Sequence, residues 1–153
     1  MADEPVDFRA LIPELDKWNN GAGISPDAWI ECVGNYELAV GYSFIFWPRF
    51  VRFGKYVLRE GFNEPALRGF EGQTGSNRKS VEWVMNHLHL ADIHFSAPEP
   101  NEAQLRYLGR VLKEIHEVKL RADFPDLRFV VEFADEPALD PVDYQISFWQ
   151  AEA

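Results

Sequence analysis

The chain has 153 residues, of which 46% are apolar and 14% aromatic, so it can bury a full core, which excludes intrinsic disorder. Its formal net charge of −10 repels phosphate and argues against general nucleic-acid binding. The longest apolar run, LAVGYSFIFW, has about ten residues and is too short to span a bilayer, so no membrane segment is predicted.

The N-terminal part predicts short helices and an acidic surface. Residues 1–48 carry eight acidic and two basic side chains and begin without the apolar stretch of a signal peptide, which predicts a cytoplasmic protein. A short helix interrupted by Pro13 is expected first. Ser25, followed by a proline and an acid, then starts a helix that runs to about Val33. Cys32 is the only cysteine, and we expect it to be a small buried core residue.

Residues 36–47 fit either a helix or a strand. As a strand, the segment would place six large side chains on one face, and as a helix it would bury nearly every side. Length favours a helix, since strands seldom exceed about ten residues, whereas the aromatic content and Gly41 favour a strand. We predict a helix that Pro48 ends.

The middle of the chain predicts a hairpin and two helices. Two short β-forming runs flank Gly54 and Lys55, which indicates a β-hairpin, and Asn63 caps a short helix after it. The next helix is predicted to extend through His87 at least. Its buried stripe consists of Val81, Val84, Met85 and Leu88.

The C-terminal part predicts one long helix and two strands. After a proline-containing loop at 96–101, Asn101 and Gln104 form a capping-box pattern that starts a helix ending near Arg121. Alternating apolar residues then predict strands at 127–133 and 144–150. The expected core consists of Leu108, Leu112, Phe129, Val131 and Phe133.

This order of elements predicts an α+β fold. We expect one domain over residues 1–153, with an antiparallel sheet of about four strands and helices packed on one of its faces. The other face would be polar and concave, suited to a protein partner or a small ligand. Its predicted binding surface consists of Arg52, Arg128, Glu132, Gln145, Ser147 and Trp149.

The segment NHLHLADIHF, residues 86–95, holds three of the four histidines. If the helix passes His87, a single zinc ion cannot be reached by all the candidate ligands, whereas an extended His-x-His would place two imidazoles on one face. We predict a helix end, and keep a metal site as the alternative. The ligands of that alternative are His87, His89, Asp92 and His94.

Two classes of function remain. The first is a small acidic cytoplasmic binding protein without catalytic activity or cofactor, similar in size and charge to bacterial immunity proteins, although no motif supports a family assignment. The second is a small metal-binding protein or metal-dependent enzyme that uses the histidine segment. No catalytic residue is predicted, and self-association to a homo-oligomer is left open.

Overall fold

The computed structural model describes residues 4–95 and 98–152, so positions 96 and 97 of the predicted 96–101 loop lie outside the described residues. The protein is α+β, as predicted. Its contacts divide the chain into two compact units, unit 1 up to Ser43 and unit 2 from Phe44. The prediction of one domain over residues 1–153 stays a prediction.

Unit 1 is built from short helical segments whose positions the local caps predict. The Oγ of Ser25 accepts a hydrogen bond from the Ala28 amide, and the Oδ1 of Asn35 accepts one from the Leu38 amide at 2.9 Å. The ambiguous segment is a helix, as predicted. The helices are α1 (Phe8–Leu11), α2 (Pro26–Val33) and α3 (Tyr36–Phe46), with 3-10 turns at Pro13–Lys17 and Asn19–Gly21. The last three residues of α3 belong to unit 2.

Unit 2 contains the strands and the longer helices. The predicted hairpin is present, Asn63 caps the helix after it, and both hydrogen bonds of the Asn101–Gln104 capping box form. The hairpin strands are β1 (Phe50–Phe53) and β2 (Tyr56–Arg59), followed by α4 (Glu64–Thr74), α5 (Arg78–Met85) and β3 (Leu88–His89). Then come α6 (Glu102–Asp123), β4 (Phe129–Ala134) and β5 (Gln145–Gln150), with 3-10 turns at Leu90–Asp92 and Pro141–Asp143.

The strands form two antiparallel sheets, not the single four-stranded sheet that the sequence predicts. The described residues give a two-stranded sheet, β1-β2, and a three-stranded sheet ordered β3-β5-β4. In the second sheet, β5 is central, with Val131 opposite Phe148 and Leu88 opposite Ile146.

Two side chains, Glu82 of α5 and Asn86, which follows its last residue, account for the split. Both are fully buried and bond to β2 and β5. The carboxylate of Glu82 accepts from the amides of Val57, at 3.0 Å, and Gln150, at 2.7 Å. The amide group of Asn86 donates to the carbonyls of Val57, at 3.0 Å, and Phe148, at 3.2 Å. These side chains satisfy backbone groups that a direct β2–β5 ladder would otherwise pair.

Helices lie on both sides of β5, which corrects the prediction that they cover one face. Leu112 of α6 packs in one core cluster with Val131 and Phe148. On the opposite side of β5, the Oγ of Ser147 donates to the Trp83 carbonyl of α5 at 2.7 Å. Of the predicted core, Leu112 and Val131 are buried, and the other members are partly buried against the same cluster: Leu108, Phe129 and Phe133.

The end of α5 also differs from the prediction. The helix stops at Met85, so it does not extend through His87. Asn86 caps it, and Leu88 is the first residue of β3. Leu88, which was predicted to complete the buried stripe of this helix, therefore belongs to a strand. In the part of the chain that the structure describes, no helix combines the length and the apolar character needed to cross a membrane.

Candidate functional site

Five large apolar side chains of α2 and α3, here called the α2–α3 apolar residues, are exposed in unit 1. Neither helix has a buried residue. The exposed fractions are 60% for Ile30, 47% for Val33, 92% for Tyr36, 43% for Leu38 and 71% for Val40. Tyr36 and Val40 are one turn apart and share a face of α3. Single exposed apolar residues are ordinary, but a concentration of them marks an interaction site.

Gly34 is the C-cap of α2, and its backbone lies close to the preceding turn of the helix. The Gly34 amide donates to the Ile30 carbonyl at 2.9 Å, and a Cβ at this position would lie 2.8 Å from the same oxygen. Any other residue would have to shift the end of the helix. Asn35 then caps α3, so the chain leaves one helix and starts the next within two residues.

The exposure of this segment corrects two expectations. The helix predicted at 36–47 was expected to bury nearly every side, and Cys32 to be a core residue, yet Tyr36, Leu38 and Val40 of α3 and the residue Cys32 are exposed. Isolated helices of this length are marginal in water, and most helical stability comes from packing of an apolar face. Covering the α2–α3 apolar residues would therefore be favourable, by about 25 cal/mol for each Å² of apolar area removed from water.

Acidic residues lie among the α2–α3 apolar residues. Asp27 is in the first turn of α2, Glu31 follows it, and Glu37 is in the first turn of α3. A hydrogen bond from the Ser25 hydroxyl, together with backbone amides, holds the pKa of Asp27 below its ordinary value. The apolar residues are thus surrounded by negative charge at neutral pH.

Two of the residues predicted for the polar sheet surface are buried. Ser147 is 1% exposed and bonds to α5, as described above, and Trp149 is 9% exposed. The ammonium group of Lys79 lies 5.2 Å from the Trp149 ring centroid. Helix α5 and its side chains therefore cover this part of the face that the sequence predicts to be open.

Of the other four predicted surface residues, Arg52 lies apart, whereas Glu132 and Gln145 stay on the β4–β5 sheet, with Glu132 opposite Ser147 and Gln145 opposite Ala134. Arg52 is on β1, in the other sheet, where it pairs with Asp126 at 2.7 Å and lies over the ring of Phe124. The structure thus divides the six-residue surface. The remaining members are Arg128 and Glu132, which are exposed beside and on β4, and Gln145, which is half-buried on β5.

The four candidate metal ligands lie in four different places along the chain. His87 follows the α5 cap, His89 is in β3, Asp92 is in a 3-10 turn, and His94 lies beyond it. The rings of His87 and His89 meet edge to face at 5.3 Å between centroids, and the Nδ1–H of His87 donates to the Val84 carbonyl at 2.5 Å. The helix does end early enough for an extended His-x-His.

A third ligand is not brought to this pair. Among residues 4–95 and 98–152, no group of three His, Cys, Asp or Glu side chains is placed to hold a metal ion. The metal-binding alternative stays a prediction.

The buried polar contacts of unit 2 join residues that are far apart in the chain. Arg59 and His116 are 57 residues apart in the chain and bond to each other inside the molecule. One signal was present: His116 follows Leu112 by four positions, on the buried side of α6. Its partner is not deducible from local spacing. Comparison with protein families, curated proteins and solved structures gives no match to this chain.

Proposed function

We propose that this chain is a binding protein, and that the α2–α3 apolar residues dock onto another protein. The observation that carries the proposal is that α3, an almost wholly apolar helix with one charged residue, has no fully buried residue, and that only its C-terminal end, at Ile45 and Phe46, packs against the core. A helix that is apolar on all sides is ordinarily covered. A partner protein that buries Tyr36 and Val40 would remove this apolar surface from water.

Charge supports a partner protein with a basic rim. Residues 1–48 hold eight acidic and two basic side chains, and the whole chain carries −10. Complementary charge across an interface accelerates association, whereas like charge suppresses wrong partners. Two copies of this chain would bring two acidic segments together, and anionic lipid headgroups would repel the same segment. A groove that is apolar at its centre and lined by Lys or Arg at its edge is the complementary surface.

The exposed thiol of Cys32 agrees with the predicted cytoplasmic location. A free exposed cysteine persists where thiols are kept reduced. We therefore propose that the contact is made in the cytoplasm. The proposal contains no catalytic step.

The test is a binding measurement with matched charge variants. Val40→Glu places a carboxylate among the α2–α3 apolar residues, and Val118→Glu places one on α6, where Val118 is 55% exposed. A partner isolated from cell extract is purified and its Kd for each variant is measured. We expect Val40→Glu to weaken binding at least about tenfold and Val118→Glu to leave it within about twofold.

Raising the salt concentration should slow association with the wild-type chain, because the proposed rim is basic. Equal effects of the two variants would contradict the proposed surface. A stable homodimer in light scattering that Val40→Glu dissociates would replace the partner protein with a second copy. Binding of the wild-type chain to anionic vesicles would replace it with a lipid surface.

A further inference from the structure

A cavity in unit 2 lies between the C-terminal half of α6 and the start of β4. Its volume is about 350 Å³, near the lower end of the range for small-molecule sites, roughly 300–1,000 Å³. Its apolar lining consists of Leu120, Leu127, Phe129 and Val131, and its charged lining of Glu117, Arg121 and Arg128.

The side chains of the two arginines, both exposed residues, have no hydrogen-bond or ion-pair partner among the described residues, although the chain has 25 acidic and 15 basic side chains. The nearby carboxylates are already paired. Asp123 pairs with Lys119 at 3.5 Å, and Asp126 pairs with Arg52 at 2.7 Å. Two arginines and only one carboxylate-bearing residue, Glu117, therefore line one small cavity.

The third charged group of the lining restricts the ligand. Glu117 reaches Lys113 at 4.0 Å and adds a carboxylate beside the two guanidinium groups. This charge opposes a doubly charged head group more strongly than a singly charged one. A planar carboxylate also matches the fork of a guanidinium group, which donates two parallel hydrogen bonds to it.

The floor of the cavity is apolar. Leu120 is 1% exposed and Val131 is 7% exposed, and both belong to the main core cluster, so the floor is already packed from below. An alkyl chain lying on this floor would be stabilised by the removal of its methylene groups from water.

We propose that this cavity binds a small monocarboxylate with a short apolar chain. Arg121 and Arg128 hold the carboxylate, and Leu120, Leu127 and Val131 contact the chain. The inference is independent of the proposed protein contact, since its residues lie on α6 and β4 of unit 2 and that contact uses residues of unit 1. It concerns a different class of ligand.

The test uses octanoate as the probe, with calorimetry and NMR of the arginine side chains on the full chain. We expect one-to-one saturable binding and shifts of the Nε–H signals of Arg121 and Arg128. The double variant Arg121→Gln/Arg128→Gln should lose at least about tenfold in affinity. Arg110→Gln is the control, because Arg110 is an exposed arginine of the same helix outside the cavity and also has no partner among the described residues.

Two further probes test the carboxylate and the alkyl chain of octanoate separately. Acetate has the head alone and octanol the chain alone, and each should bind at least about tenfold more weakly than octanoate. The double lysine variant should bind octanoate more tightly than the double glutamine variant and more weakly than the wild type. Lysine restores the positive charge but cannot donate two parallel hydrogen bonds as a guanidinium group does. Octanoate affinity that is equal in the wild type and the double glutamine variant would overturn the site. Absence of saturation below about 10 mM would do the same. Tighter binding of octyl phosphate than of octanoate would overturn the carboxylate assignment.

Discussion

The Nη2 of Arg59 donates a hydrogen bond of 2.9 Å to the Nε2 of His116, which is fully buried on α6. The other ring nitrogen, Nδ1–H, donates to the Leu112 carbonyl at 2.7 Å. Both positions of the imidazole are therefore satisfied only when it is neutral and protonated at Nδ1. Burial, and then the charge of Arg59, lower the pKa of His116 to about 3. Burial also lowers the pKa of Arg59, to about 10, which leaves it a cation at neutral pH.

Stability should fall as the pH drops below the ordinary histidine pKa of 6.5. In that range the unfolded chain binds a proton at residue 116 and the folded chain does not, so this contribution is complete above 6.5 and is lost toward 3. We expect a loss of about 2 kcal/mol in the free energy of unfolding between about pH 7 and pH 5. Urea unfolding of the wild type and His116→Gln measures it. The same slope in both proteins would contradict the assignment.

Gly109→Ala should destabilise the protein. A Cβ on Gly109 would overlap the ring of Phe133, so α6 or β4 must shift, at about 1–3 kcal/mol. This exceeds the helix-propensity gain of about 1 kcal/mol from replacing glycine. Gly69→Ala on α4 is the control, because nothing lies within 4 Å of its added Cβ. Chemical unfolding should show a lower stability for the first variant and a higher one for the second. A gain at both positions would refute the contact.

Glu82→Gln should destabilise unit 2 although it keeps the size of the side chain. The carboxylate accepts from the amides of Val57 and Gln150 through different oxygens, so an amide group must turn a donor toward one of them. We expect a loss of about 1–3 kcal/mol. Glu114→Gln, at an exposed position of α6, should change stability by less than about half a kcal/mol. Thermal and urea unfolding of both variants make the comparison, and two equal results would count against the role of Glu82.

Leu112→Ala should cost about 2–5 kcal/mol, because Leu112 is 0% exposed at the centre of the main core cluster. Val118→Ala, on the exposed side of α6, should cost less than about half a kcal/mol. The measurement is the midpoint of urea unfolding with an unchanged slope. A small effect at Leu112 would remove it from the core.

The parts of the fold that the sequence predicts are those with local causes. Ser25, Asn63 and Asn101 each cap a helix through a hydrogen bond to an amide three residues later. A cap of this kind is visible in any short window of sequence. The strands at the C-terminus alternate, and their pairing follows from that alternation.

The parts that the sequence does not predict depend on distant partners. Glu82 bonds to residues 25 and 68 positions away, and nothing near it in the chain indicates that it would bridge two strands. The same holds for the end of α5, where Asn86 leaves the helix to bond with β2 and β5. An apolar helix such as α3 presents a different problem, because its pattern does not distinguish cover by the same chain from cover by a partner.

The hydrogen bonds that join α5 to β2 and β5 also determine which parts of the protein unfold together. The amide protons of Val57 and Gln150 lie on different strands, yet both are held by one side chain of one eight-residue helix. A fluctuation that frays α5 therefore releases β2 and β5 together, while the β4–β5 ladder stays closed. In native-state hydrogen exchange, these two amides and those of α5 should form one cooperative unit with a common opening free energy, below that of global unfolding.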